Sequence, residues 1–192
     1  MNVIAINGSA RQDGNTSLLI EKVFEPLRRE GITCRQIQLA GSTIHGCRAC
    51  YTCYTKKNGR CSFEQDPVNE CIAAMNAADA IILGSPVYVA DISSEMKALI
   101  DRACLVSRAN GSFFRRKVGA GVLAVRRGGA IHAFDTLNHF FTISEMVVVG
   151  SSYWNFAFGR EIGEVLKDEE GVQTMTTLGE NMAWLLKKIH QK

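Results

Sequence analysis

Val3 to Ile6, the run inside "ADAIILGSP" (Ala78 to Pro86) and Val118 to Val125 are apolar almost throughout, so the strands they form must be covered on both faces. Between these runs, apolar residues recur at helical spacing. Leu18, Leu19, Val23, Phe24 and Leu27 mark a helix up to Gly31. Val68, Cys71, Ile72 and Met75 mark one from near Asp66, and Met96, Leu99, Ile100, Ala103 and Cys104 one after Ser93 or Ser94. Thr33 to Leu39 and Met146 to Val149 suit two more strands, Ile131 to Phe141 a helix and Leu178 to Ile189 a closing helix. The alternation predicts an α/β fold: a five-stranded parallel sheet with helices on both faces. Right-handed crossovers leave few topologies, and five strands favour the order 2-1-3-4-5 over the six-stranded dinucleotide arrangement. In that order the winding reverses between strands one and three, so a ligand crevice is expected beyond Ile6 and Leu83.

The 192 residues are expected to form one domain, 1–192, interrupted by a cysteine-rich insertion at 45–65. A chain of this length buries roughly 70% of its unfolded surface, so it needs no cysteine staples. The net charge of +3 is small and not gathered into a basic run, which argues against nucleic acid as a partner. No apolar run reaches the ~18 residues of a membrane span, and the first residues lack the pattern of a secretory leader, so a cytoplasmic location is expected. In a reducing compartment, clustered thiols bind metal or react more often than they form disulfides. The odd total of seven cysteines agrees.

Between the first strand and its helix lies "NGSARQDGNTS", where free backbone N–H groups and the helix dipole favour an anion. Ser9, Arg11, Asn15, Thr16 and Ser17 are candidate contacts to a single phosphate, with Gly14 allowing close approach of the backbone. The loop matches neither G-x-x-x-x-G-K-[ST] nor G-x-G-x-x-G, so nucleotide hydrolysis and dinucleotide binding lose support. "GSPVYVADIS" follows the third strand, with Pro86 fixing the backbone and Tyr88 offering a flat face to a planar heterocycle. "RRGG", Arg126 to Gly129, ends the fourth strand on the same edge of the sheet.

Cys47, Cys50, Cys53 and Cys61 read C-x2-C-x2-C-x7-C. Three thiols at three-residue intervals with a distant fourth resemble [4Fe-4S] runs, whereas zinc sites more often use two separated C-x2-C pairs. The spacing favours iron-sulfur; zinc, a disulfide or free thiols remain open alternatives. Cys34, Cys71 and Cys104 fall on apolar faces, where an inert buried thiol is expected. Arg48, Lys56, Lys57 and Arg60 surround the four thiols with positive charge that would attract an acidic electron carrier, and His45 is a neighbour able to support a ligand.

"NGSARQDGNTS", "GSPVYVADISSEMKALIDR" and the cysteine segment, in that family's order and spacing, resemble the NADPH-dependent FMN reductase and iron-sulfur flavoprotein group, whose fold is flavodoxin-like. The resemblance covers nearly the whole chain. It implies that Ser9, Arg11, Asn15, Thr16 and Ser17 hold the FMN phosphate, that Pro86, Val87 and Tyr88 flank the isoalloxazine, and that Arg126, Arg127, Gly128 and Gly129 close over it. It also implies a cluster on Cys47, Cys50, Cys53 and Cys61, although relatives exist in which similar cysteines hold none.

No nucleophile, base or triad accompanies these loops, so no catalytic side chain is named. The leading expectation is an FMN oxidoreductase passing electrons between a [4Fe-4S] cluster and FMN, linked to a ferredoxin-like carrier or to NAD(P)H. Two alternatives are an NAD(P)H-linked FMN or quinone reductase without a cluster and a flavin-binding redox sensor without turnover. "SSYWNFAFG", Ser151 to Gly159, is too apolar for a solvated loop; a subunit interface, a roof over a neighbouring subunit's flavin and packing back onto its own domain are the open readings, and a homodimer or a dimer-based oligomer is expected.

Overall fold

Every residue of the fourth strand and all but the last of the third are buried, as two-sided covering requires. The structure, a computed structural model, describes residues 1–191. The strands are β1 (Asn2–Asn7), β2 (Thr33–Gln38), β3 (Ala80–Pro86), β4 (Val118–Val125), β5 (Val147–Val148) and β6 (Phe156–Phe158). The helices are α1 (Asn15–Arg29), α2 (Thr52–Lys56), α3 (Val68–Ala77), α4 (Ser94–Ala109), α5 (Ala130–Ile143) and α6 (Glu169–His190), with a 3-10 turn at Glu164–Lys167. The sheet is parallel in the order β2-β1-β3-β4-β5, the flavodoxin-like arrangement expected. Register pairs Ile6 with Leu83 and Asn7 with Gly84, so the loops after β1 and β3 leave the sheet side by side.

Alternation along the strands divides the core. Ile4, Ile6, Ile81, Leu83, Leu123 and Val125 pack against α3, α4 and α5. Val3, Ala5, Ile82, Ala120 and Val122 pack with α1 and α6 on the other face. α6 lies so close to α1 that a Cβ at Gly179 would stand 2.3 Å from the Val23 carbonyl oxygen.

The edge beside β4 departs from the five-strand expectation. β5 pairs only with Val118 and Gly119, and β6 then pairs with Leu123 to Val125, so two short strands share one edge position. β5 is shorter than the expected Met146 to Val149, and β6, within the aromatic stretch Ser151 to Gly159, packs back onto its own sheet. α6 starts well before Leu178, because Asp168 caps it: its Oδ1 accepts from the N–H of Gly171 at 3.0 Å. Among the described residues no helix is long and apolar enough to cross a membrane.

Candidate functional site

At the end of β1 the chain folds back on its own polar groups. Asn7 Oδ1 accepts from the N–H of Ser9 at 2.9 Å, and Ser9 Oγ accepts from the N–H of Arg11 at 3.1 Å. Gln38 at the end of β2 donates through Nε2 to the Ser9 carbonyl at 2.8 Å. Ser93 fixes the loop from the other side: its hydroxyl donates to the Gly8 carbonyl at 2.7 Å and caps α4 by accepting from the N–H of Met96. The Ser93 N–H in turn donates to Ser85 Oγ at 2.9 Å, tying the end of β3 to the start of α4.

A cavity of about 290 Å³ opens at this switch point. Ser9, Arg11, Asn15 and Thr16 line it from the first loop, Pro86, Val87 and Tyr88 from the third, and Arg126 from the end of β4. Eight of the expected residues therefore meet in one place. α1 begins behind Gly14, which supplies no side-chain cap, so the first N–H groups of the helix are available to an anion.

The other expected residues lie outside the lining. Ser17 Oγ instead accepts from Gln36 Nε2 at 2.9 Å. Gly14 sits against Arg11, whose Cβ a side chain there would meet at 2.9 Å. Arg127 and Gly128 do not reach the cavity. Gly129, at φ 86°, packs on the turn Tyr88 to Asp91, where a Cβ would stand 2.6 Å from Ala90 Cα. That turn closes through two backbone bonds between Tyr88 and Asp91, with Val89 and Ala90 at φ 51° and 62°, left-handed values matching a type I′ turn.

Ala124, Gly159 and Arg160 also line the cavity. None was anticipated: Gly159 and Arg160 arrive through β6, and the signal was a glycine and an arginine directly after "FAF". Arg11 Nη1 donates to the Arg160 carbonyl at 3.2 Å. Asn15 holds the same segment, donating through Nδ2 to the Glu161 carbonyl at 2.9 Å and accepting from the N–H of Gly163 at 2.8 Å. Its amide is thus committed to protein on both sides.

A second pocket gathers Cys47, Cys50, Cys53 and Cys61 with Arg102 and Val106 of α4. All seven cysteines are free thiols. Ala49 and Tyr51, at φ 50° and 54°, curl the loop around the first three. The Ala49 N–H donates to Cys47 Sγ at 3.4 Å, and Thr52 Oγ1 donates to Cys50 Sγ at 3.3 Å. Hydrogen bonds with Ser62 and Thr52 lower the Cys50 thiol to about 7, while burial raises that of Cys53. Among the described residues no group of three or more His, Cys, Asp or Glu side chains converges on a point that could hold a single metal ion.

Arg102 is the residue the sequence did not single out. Its side chain is 1% exposed, and Nη1 meets Asp66 Oδ2, itself buried, at 2.5 Å. Nη1 also donates to the His45 carbonyl at 3.1 Å, Nη2 to the Phe63 carbonyl at 2.9 Å, and Nε to Cys61 Sγ at 3.3 Å. Burial raises the Asp66 carboxyl, but the bond from Arg102 and those from the His45 and Val68 N–H groups outweigh it and hold the carboxyl below its usual range. His45 serves through its backbone, and its ring lies edge-on to Phe63. Arg48 lines the pocket, and Lys56, Lys57 and Arg60 are exposed elsewhere in the same loop. Burial raises Cys34 to about 11 and Cys71 to about 12 and also raises Cys104, as expected of inert thiols.

The family described as NADPH-dependent FMN reductase matches residues 1–161. The chain belongs to this family. An iron-sulfur flavoprotein of Methanocaldococcus jannaschii is 36% identical over 98% of this chain and 99% of its own. Two solved structures share the fold. RosB, solved with bound 8-demethyl-8-formylriboflavin-5'-phosphate, is 16% identical with a TM-score of 0.79, covering 98% of this chain and 80% of its own. A flavodoxin from the domain Archaea is 14% identical with a TM-score of 0.64, covering 97% and 99%. As a member of the FMN reductase family, the chain is a flavin-dependent oxidoreductase, which sets aside the sensor without turnover.

Proposed function

We propose that this chain is a flavoprotein of iron-sulfur type, one FMN-binding domain with its cysteine loop at 45–65, passing electrons between FMN and a [4Fe-4S] cluster. The observation that carries the reading is the pairing on one chain of the cavity at the β1/β3 switch point with a pocket ringed by four free cysteines. At about 290 Å³ the cavity is near the lower end of the ~300–1,000 Å³ range of ligand sites, and the uncapped start of α1 suits a phosphate. Four thiols lining one pocket match the four ligands of a four-iron cluster in number and kind.

Ser9, Thr16, Arg11 and the first N–H groups of α1 would hold the phosphate, with Arg160 adding positive charge. Pro86, Val87 and Tyr88 would flank the ring system, and Arg126 would stand at its edge. Asn15 positions the Arg160 to Gly163 segment. The remaining expected residues act behind the wall, Gly129 by seating the Tyr88 to Asp91 turn. When bound, FMN supplies both two-electron and one-electron transfer, and a cluster supplies single-electron transfer. Arg48, Lys56, Lys57 and Arg60 would draw in an acidic, ferredoxin-like carrier. Tyr153, Trp154 and Phe158, each about half exposed along the β6 edge, support assembly from homodimers. Light scattering at micromolar concentration tests this; a monomeric mass would refute it.

Anaerobic purification followed by FMN, iron and sulfide analysis and by low-temperature EPR of the reduced protein tests the main reading. One FMN and four irons per chain are expected. A second reading, an NAD(P)H-linked reductase without a cluster, is favoured by the family description. Stoichiometric FMN without iron or sulfide, together with rapid flavin bleaching by NADPH, would establish it instead.

A further inference from the structure

A guanidinium buried among apolar side chains is costly unless its charge is matched and its five donors are used. Arg102 has its charge matched and four of those donors used, all by the cysteine loop and the residue just after it: its partners are the Asp66 carboxylate, the carbonyls of His45 and Phe63, and the sulfur of Cys61. Neighbours on its own helix, Leu99, Ala103 and Val106, are fully buried and apolar. The donor set is therefore arranged for the loop, and one of its members reaches a candidate ligand directly. The exposed cations of the loop make no such bond: Arg48 lies over the Phe63 ring, and Arg60 pairs with Glu64 at 3.8 Å.

We infer that Arg102 is a positioning residue that fixes Cys61 for cluster binding and, through its charge and its Nε–H bond to sulfur, favours uptake of one electron by the bound cluster. The inference rests on the iron-sulfur reading. A thiolate-bound cluster gains one negative charge on reduction, and a buried cation bonded to a ligand sulfur stabilises that form, a recognised lever on cluster potential. Asp66 opposes it. Its carboxylate offsets part of the arginine charge, so the pair sets the bias jointly.

The two partners can be perturbed in opposite senses. Arg102→Lys keeps a positive charge beside Asp66 but cannot supply the guanidinium fork, so the Cys61 bond is lost. Asp66→Asn leaves the arginine in place and removes its counter-charge. Wild type and both variants are purified without oxygen, analysed for iron, sulfide and FMN, and titrated with dithionite while the reduced cluster is followed by EPR.

In Arg102→Lys the one-electron equilibrium constant should fall about tenfold, equivalent to about 59 mV toward lower potential. In Asp66→Asn it should rise. Loaded variants with the wild-type potential, or shifted in the same direction, would overturn the inference. Loss of iron from Arg102→Lys alone, with FMN content and circular dichroism unchanged, would support the fixing of Cys61; loss from Asp66→Asn as well would overturn the inference, because the Arg102 to Cys61 bond is left in place there. If only one variant loads, the sign of its shift decides. Wild-type protein that holds FMN but no iron would refute the iron-sulfur reading itself.

Discussion

Replacing Asn15 by alanine should weaken FMN binding by an amount the structure sets. The residue is 9% exposed and its side chain makes two bonds, donating to the Glu161 carbonyl at 2.9 Å and accepting from the Gly163 N–H at 2.8 Å. Neutral buried bonds contribute about 1 kcal/mol each, so the segment carrying Arg160 loses about 2 kcal/mol of support. Apparent affinity falls with the fraction of molecules in which that wall is in place, and 2 kcal/mol corresponds to at most about thirtyfold. Titration of the flavin-free protein with FMN, followed by quenching of flavin fluorescence, measures the loss. Ser17→Ala, whose hydroxyl accepts from Gln36, is the comparison and should stay within about twofold, within the few tenths of a kcal/mol of an indirect effect. Asn15→Ala binding FMN as tightly as wild type would refute the reasoning, and an equal loss in both variants would return Asn15 to direct phosphate contact.

Arg160→Ala should cost about tenfold in FMN affinity at low salt and less at high salt, because its side chain is largely exposed and its charge is screened; the same titration at two ionic strengths checks it. Gly179→Ala should lower the melting temperature by about 2–4 °C, since overpacking of about 2 kcal/mol against Val23 exceeds the ~1 kcal/mol an alanine gains in a helix. Calorimetry reads the shift, and a rise would refute the close helix contact. In the iron-free chain, alkylation of Cys50 should accelerate with rising pH about a midpoint near 7, because its hydrogen bonds favour the thiolate. Ser62→Ala should move that midpoint up toward the ordinary thiol range, as peptide mapping after timed alkylation would show.

Strands β1, β3 and β4 were legible because each holds a run of apolar residues too short for a helix, and two-sided burial confines the polar residues of β1 and β3 to their ends. β5 and β6 were not, since two and three residues carry no period and Val147 and Val148 are exposed. In the candidate site, loops one and three were readable from their chemistry and their place after apolar strands. Arg160 escaped notice because it depends on β6, and Arg102 because a single arginine on an apolar helix stripe resembles any surface arginine until its partner is known. The clue was present in the order Leu99, Arg102, Ala103, Val106, a charge set into a buried face. Ser17, Arg127 and Gly128 were placed by loop membership, which does not say which way a side chain turns.

α4 starts under the first loop, where Ser93 bonds to Gly8, and eight residues into the helix Arg102 takes hold of the cysteine segment. The rise from the start of α4 to Arg102 is therefore a counted length, about 12 Å along a rigid rod at 1.5 Å per residue. One amino acid inserted between Glu95 and Asp101 would swing the guanidinium about 100° around the axis, away from Cys61. Chains built on this plan can vary the exposed positions of that segment, but neither its buried positions nor its length.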